Sequence, residues 1–474
     1  MQQVKHERTN PRWPLLALAI AIASMAVSGP VDAQHRTPVD TTDGGTRPTS
    51  GPDYLPGQIL VKYRQTDAPP LRLSSAARWQ TQLLGRIPQL GVALLQVPVG
   101  TERSVAAQLE HDPLVQYVEL NYRACALEQP NDPKWPEQWA LRKIDAPQAW
   151  DIAHCQGTIV AVLDTGVHPE HPDLINTLWT NPGEMPGNGV DDDGNGKVDD
   201  VHGWHFYQNC TTATCQPDEN HLIQDDNGHG THVTGIAAAQ TGNAIGVAGV
   251  SWGARAMILK VLDQNGDGYY YDIAQGIRYA ADNGAQVINL SLGGKAFSQL
   301  LQDAVDYAHQ RGLLLVAAAG NDAASAVRYP AACDNVLAVA ATGSDDTWAS
   351  FSNHGPEVDI AAPGINIIST WPWPGEYAYE SGTSIAAAHV SGSAVLLWSW
   401  QPALTNVQIQ RRLETQADDV NAATYPGADP YLGWGRLNVY RTLAGLAPGP
   451  TLTPTPTRFI CRLFPIFKNF VLQR

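Results

Sequence analysis

The stretch Thr158-Ile159-Val160-Ala161-Val162-Leu163-Asp164-Thr165-Gly166 decides the fold. An apolar run of strand length ends in an aspartate and a glycine turn, which reads as a buried strand carrying a carboxylate at its carboxyl end. Similar short runs follow at Ala256–Val261, Gln286–Leu290, Leu313–Ala318 and Val336–Ala341, each bounded by Gly, Asp or Asn. Helical patterns lie between several of them, as at Ile273–Asn283 and Leu300–Gln310. Apolar strands separated by helices predict a parallel sheet covered on both faces. In such sheets functional groups gather beyond the carboxyl ends of the strands.

Working outward, 474 residues allow two or three domains. There are 30 Lys and Arg against 46 Asp and Glu, so the formal charge is 30 − 46 = −16. That balance excludes a nucleic-acid binder, which needs a basic face. Hydrophobic residues at 43% can fill a large core, and charged residues at 16% are too sparse for a disordered chain. The first 33 residues read as an export signal: Lys5, Arg8 and Arg12 precede the apolar run Leu15–Val27, with a cut expected before Gln34. An uncleaved anchor is the alternative. No later stretch is long and apolar enough for a transmembrane helix.

Export makes disulfides permissible, although six cysteines are too few for a disulfide scaffold. Cys210 and Cys215 bracket a short Thr-rich loop and can close it, leaving Cys155 and Cys333 as a pair. Buried free thiols are the other reading, and spacing alone does not choose among connectivities.

Residues 34–56 form a polar linker. Residues 57–127 hold a small α/β module, with strands at Gln58–Tyr63, Gly91–Val97 and Val115–Leu120 and a helix at Thr101–Glu110. The main domain runs over 128–446. Residues 447–457 form a Pro/Thr spacer, and 458–474 an apolar, basic tail that reads as a surface-retention segment or a disordered end.

Three segments carry chemistry: Asp164-Thr165-Gly166, Asn227-Gly228-His229-Gly230-Thr231-His232, and Ser381-Gly382-Thr383-Ser384-Ile385-Ala386. A serine hydroxyl needs a base to take its proton and a third group to hold that base in one tautomer. Ser384, His229 and Asp164 offer those roles. A serine opening a helix sits where backbone N–H groups favour developing negative charge. A fourth segment, Val316 to Asn321, ends a buried strand with an amide able to donate to an oxyanion.

On these motifs the chain resembles the subtilisin family of serine proteases (subtilases) in a thermitase-like form, over roughly residues 130–445, with 57–122 resembling the family's inhibitory propeptide. The resemblance implies a three-layer α/β domain with a mostly parallel sheet of about seven strands, preceded by a ferredoxin-like propeptide. It implies that Asp164 orients His229, that His229 is general base and acid, that Ser384 attacks the peptide carbonyl, and that Asn321 joins the Ser384 N–H in the oxyanion hole. Ile385 stands where the family usually has Met and Ala388 where it usually has Pro; neither is a catalytic group. His232 and His389 are expected to be structural, and His202 and His205 to be surface or core residues rather than zinc ligands.

The resemblance also implies a groove. Ser291, Leu292 and Gly293 form one wall, open to pairing with an extended peptide. Ala318, Ala319 and Gly320 form another, with Arg328 at the base of the pocket for the residue before the scissile bond. Arg328 either reads that residue or is neutralised by Asp322. Tyr270 lines the pocket four positions upstream. No acidic cluster of the kind used by basic-site processing proteases is evident, which favours broad specificity.

Two calcium sites are expected. One is the family site: Asp132, Asp173 and Asn243, with carbonyls of Gln240, Ile245 and Val247. The other is an EF-hand-like loop using Asp191, Asp193, Asn195, the Lys197 carbonyl and Asp199, with Asp200 replacing the usual final Glu. The expected partners are peptide substrates and the chain's own propeptide, removed near Leu127–Glu128 together with Cys125. The mature form is expected to be a secreted monomer, with the tail as a means of surface retention.

Overall fold

The computed structural model describes residues 54–64, 81–122, 129–210, 215–217, 219–373 and 376–445. The export signal, the propeptide junction at 123–128 and the C-terminal tail lie outside these residues.

The N-terminal module contains β1 (Tyr54–Tyr63), β2 (Gln82–Ile87), β3 (Val92–Gln96), α1 (Glu102–Leu109) and β4 (Val115–Tyr122). Its antiparallel sheet has the order β2-β3-β1-β4, with every neighbouring pair antiparallel, as in a ferredoxin-like fold. Alternation drives it: Ile59, Val61, Ala93, Leu95, Val118 and Leu120 meet Val105 and Leu109 of the helix in one cluster. β2 was not anticipated, because five of the six residues of Gln-Leu-Leu-Gly-Arg-Ile remain exposed and show no alternation.

The main domain opens with α2 (Trp139–Lys143) and α3 (Ala146–Trp150), then β5 (Ile159–Asp164) and β6 (Gly203–His205). A hairpin of β7 (Gln208–Cys210) and β8 (Cys215–Pro217) follows. Next come α4 (His229–Ala238), β9 (Arg255–Lys260), α5 (Tyr270–Asp282), β10 (Val287–Leu290), α6 (Gln299–Gln310) and β11 (Leu314–Ala318). The domain ends with β12 (Val336–Thr342), β13 (Ile360–Pro363), the hairpin of β14 (Ile367–Thr370) and β15 (Tyr377–Glu380), then α7 (Thr383–Trp400), α8 (Asn406–Thr415) and α9 (Val439–Ala444).

Seven strands form one sheet in the order β13-β12-β11-β10-β5-β9-β6, all parallel. Successive side chains enter opposite layers: Val160 and Val162 join the core under α4 and α7, and Ala161 and Leu163 the core under α5 and α6. α7 is buried on every side from Thr383 to Leu397, as expected of a helix that is apolar all round. Within this sheet the unanticipated strands are β6 and β13; three residues beginning with a glycine, and an Ala-rich run ending in proline, give little periodicity to read.

The proposed Cys155–Cys333 pairing is overturned. Both thiols are free and buried, Cys155 in the core on one face of the sheet and Cys333 in the core on the other. The hairpin sets Cys210 opposite Cys215 in register. Burial pushes the Cys333 thiol up to about 12, so it stays protonated and unreactive at neutral pH. Iodoacetamide at about pH 8 should therefore leave both thiols intact in the native protein and alkylate them after unfolding without reductant. Peptide mapping by mass spectrometry would read this, and a 155–333 cross-linked peptide would count against it.

Candidate active site

β5 lies where the strand order reverses, with β9 on one side and β10 on the other. Asp164 ends it, in register with Lys260. The crevice beyond such a switch point is where α/β sheets bind ligands. Asp164 is 1% exposed, and its Oδ1 accepts from the Thr165 N–H at 2.8 Å and from His229 Nδ1 at 2.7 Å.

His229 opens α4, and the turn before that helix is organised by Asp225. This carboxylate accepts from the N–H groups of Asn227, Gly228 and Thr231 at 3.0, 2.9 and 2.9 Å. It also accepts from the hydroxyls of Thr231 at 2.6 Å and Thr165 at 2.9 Å. Burial alone would raise its pKa, but the Thr231 hydroxyl and the three amides outweigh that and hold it below the ordinary carboxylate range. Thr165 in turn accepts from the Gly230 N–H at 2.9 Å, so the Asp164 turn and the His229 helix are stitched through one hydroxyl. Their contact requires glycine: a Cβ on Gly230 would lie 2.2 Å from the Gly166 carbonyl oxygen. The buried Lys260 pins the same turn, its Nζ donating to the Thr165 carbonyl at 2.6 Å and to Asp226 at 2.8 Å.

The imidazole of His229 faces Asp164 and Asp225, Glu380 at the end of β15, and His232 on its own helix. Burial would depress its pKa. The Asp164 charge and hydrogen bond overcome this and raise it, with Asp225 and Glu380 adding to the rise. His232 is buried and pushed down to about 3 by burial, so it is neutral; its Nε2 bonds the Ile367 and Ala378 carbonyls. Burial likewise takes His389 to about 4. His202 bonds the Trp179 carbonyl and His205 stacks on Tyr207.

Ser384 is the second residue of α7 and is 8% exposed. Its hydroxyl donates to the Ser291 carbonyl at 3.1 Å, and the Ser291 hydroxyl donates back to the Ser384 carbonyl at 2.8 Å. A Ser384–His229 hydrogen bond is not among those of the described residues, where the Ser384 hydroxyl is engaged by the Ser291 carbonyl; such contacts often tighten only with substrate bound. Asn321 follows β11, its Oδ1 accepting from the Thr383 N–H at 2.8 Å and hydroxyl at 2.9 Å, which turns its NH2 away from Thr383. Gly320 beside it has φ +111°, and a Cβ there would meet Asn353 and Arg328.

A cleft of about 370 Å³ runs from His229 past Thr165 and Asn227 to the 265–268 loop, and along Ser291, Leu292 and Gly293. Tyr270, Leu262 and Ile273 give it an apolar floor. Gly294 is not open to a peptide, since its N–H and carbonyl pair with Tyr329 at 2.8 and 3.0 Å. Ala318 ends β11, and the Ala319 N–H and carbonyl are taken by Val339 and Arg328. Arg328 pairs with Asp322, the guanidinium holding that carboxyl below its ordinary value.

For cations, Asp132 and Asp173 are 2% and 0% exposed, and burial raises both carboxyls. Their present donors are amides of Gly242, Asn243 and Val247, the Asn243 side chain and the Tyr377 hydroxyl. Two buried carboxylates without a cationic side chain among those donors suit a hard divalent cation. Gln240, Asn243, Ile245 and Val247 belong to the loop wrapping them, with Gln240 N–H bonded to the Asp173 carbonyl.

In the acidic loop the structure gathers part of the expected set, with one carboxylate added from outside it. Asp193 and Asp200 converge with Glu184, their ligand atoms within 4.8 Å, and Asn195 bridges Asp193 and Asp200. Asp191 instead caps the Gly194, Asn195 and Gly196 N–H groups, and Asp199 those of Gly187, Asn188 and Gly189. Lys197 sends its ammonium to Glu219. Glu184 lies seven residues before the motif, outside any loop-internal pattern. Asp225 had a readable signal, an aspartate just ahead of a helix start.

Comparison with known proteins agrees with this geometry. Residues 155–435 match the subtilase family of peptidases (S8), and residues 40–121 the fervidolysin N-terminal prodomain. The thermophilic serine proteinase of Bacillus sp. (strain AK1) is 40% identical over 392 residues, 82% of this chain and 88% of that protein. Thermitase of Thermoactinomyces vulgaris is 43% identical over 315 residues, 66% of this chain and 99% of its own. A solved protease structure from Pseudoalteromonas arctica PAMC 21717 superposes with a TM-score of 0.57 at 31% identity, covering 67% of this chain and 99% of that one. The chain belongs to the subtilase family and is a serine peptidase with an N-terminal prodomain.

Thr165→Val should lower kcat roughly ten- to hundredfold, because the stitch between the two segments is lost. KM should stay within about twofold, since no binding group is removed, and Thr165→Ser should restore the rate. Steady-state kinetics on a peptide amide would check this.

Proposed function

We propose that this chain is a secreted serine endopeptidase of broad specificity that matures by self-cleavage. His229 Nε2 takes the proton of Ser384 as its oxygen adds to the peptide carbonyl, and Asp164 holds Nδ1–H and stabilises the imidazolium. The oxyanion accepts from the Asn321 NH2 and the Ser384 N–H. His229 then protonates the leaving amine, giving an acyl-enzyme that water cleaves in the reverse sense. The observation that carries this reading is the 2.7 Å His229–Asp164 hydrogen bond from a 1%-exposed carboxylate. The clasp between Ser384 and Ser291 supports it by seating the nucleophile at the cleft wall.

Residues 57–127 act as chaperone and inhibitor, released near Leu127–Glu128. The 1–33 signal directs export, and among the described residues no helix is long and apolar enough to cross a membrane. Calcium is structural at the Asp132–Asp173 loop and at Glu184–Asp193–Asp200.

Purified mature protein should hydrolyse casein, lose that activity to a serine-directed inhibitor, and lack it in Ser384→Ala. Casein hydrolysis persisting in that variant would refute the assignment. EDTA should lower the melting temperature by about 5 °C or more, since a ligand of the native state alone stabilises it by mass action. Calcium, not magnesium, should restore it; a melting curve indifferent to EDTA would remove both cation sites.

A further inference from the structure

We infer that the cleft selects peptides with a lysine or arginine side chain on the acyl side of the scissile bond, recognised by Asp267. The inference rests on the peptidase reading and names a substrate class within it.

Asp267 is the one carboxylate among the residues lining the cleft, and no Lys or Arg lines it. The residue is exposed, and among the described residues no hydrogen bond or ion pair engages its carboxylate. Its backbone, by contrast, is held. Asp263 Oδ1 accepts from the Asn265 and Asp267 N–H groups at 2.8 and 2.9 Å, and Asp263 N–H bonds the Asp267 carbonyl at 2.8 Å. Asn227, two residues before His229, donates to the Gln264 carbonyl at 3.0 Å and fixes the loop to the histidine segment.

The same cleft is lined by the buried Leu262 and Ile273 and by Tyr270, whose hydroxyl donates to the Ala296 carbonyl at 2.9 Å. An apolar floor with a carboxylate at its edge matches a side chain with an aliphatic stem and a cationic head. The nearby charges do not cancel Asp267. Asp226 is spent on Lys260 and Asp322 on Arg328. Asp263 stays ionised: burial works against it, but the Asp267 and Asn265 amides prevail and keep its pKa low. Lys295, exposed, follows Gly294 of the cleft lining, and Glu380 adds an anion whose charge reaches His229. Residues 128–446 carry 14 Lys and Arg against 36 Asp and Glu, 14 − 36 = −22, a field that attracts cationic peptides.

The contact is solvent-facing, so the preference is modest, about two- to fivefold in kcat/KM. The test uses the mature enzyme and quenched fluorogenic peptides in which each of the four acyl-side positions carries Lys, norleucine or Glu in turn. Norleucine keeps the stem and removes the charge. At one position the order should be Lys above norleucine above Glu, with the Lys-to-norleucine ratio falling toward one in Asp267→Asn and in high salt. Equal or better cleavage of norleucine at all four positions, or an unchanged ratio in Asp267→Asn, overturns the inference while leaving the peptidase reading intact. Failure to cleave any peptide overturns both. Asp267 contributes only its backbone to the fold, and the variant's thermal midpoint confirms that its structure is kept.

Discussion

A carboxylate with 1% of its surface exposed is expensive to keep charged, and Asp164 is arranged so that the charge is used. One oxygen accepts from His229 and from the next backbone amide; the other has no hydrogen-bond partner among the described residues. The parallel register of β5 with β9 and β10 places that group at the end of the strand, in line with Lys260. The orientation of the imidazole rests on this contact, and with it the role proposed for Ser384.

What surrounds the contact is a set of braces. Asp225 neutralises the amides at the start of the His229 helix and reaches Thr165, while Lys260 draws the same turn toward the sheet. These are charge-assisted bonds in a water-poor setting, the stronger kind. Loop residues that would otherwise wander are thereby set by groups in the core. Ser384 is braced separately, through Ser291 and through the Asn321–Thr383 pair at the head of α7. The site is thus assembled from the Asp164 turn and the His229 helix, stitched to each other, and from the Ser384 helix head, held by its own contacts.

The cleft follows a different logic. Its lining is mostly uncharged, with Leu262 and Ile273 buried and Asp267 exposed, so a charge preference is left to that one carboxylate. The acidic surplus of the main domain extends this bias beyond contact distance, as a long-range and salt-sensitive effect. The proposed breadth of cleavage and a mild charge preference are compatible, because an exposed rim carboxylate would bias only one side chain of the substrate.

Strand-length apolar runs with intervening helices marked the parallel sheet, since burial on both faces leaves continuous hydrophobicity in the chain itself. The Asp, His, Ser and Asn segments were legible for a related reason: each is a local signature in which glycine or a helix start accompanies the reactive residue. Short elements such as β6 and β13 were not legible, because three or four residues carry no period. The rest was decided only by tertiary structure. Cys155 and Cys333 share a domain but lie on opposite faces of the sheet, a separation that no linear spacing reports. Asp191 and Asp199 look like ligands by position, yet backbone amides claim them while Glu184 enters from outside the motif. Asp267 gains meaning only when the loop that bears it is tied beside His229. Local conformation is written in neighbouring residues, whereas a carboxylate's role depends on which donors the fold brings to it.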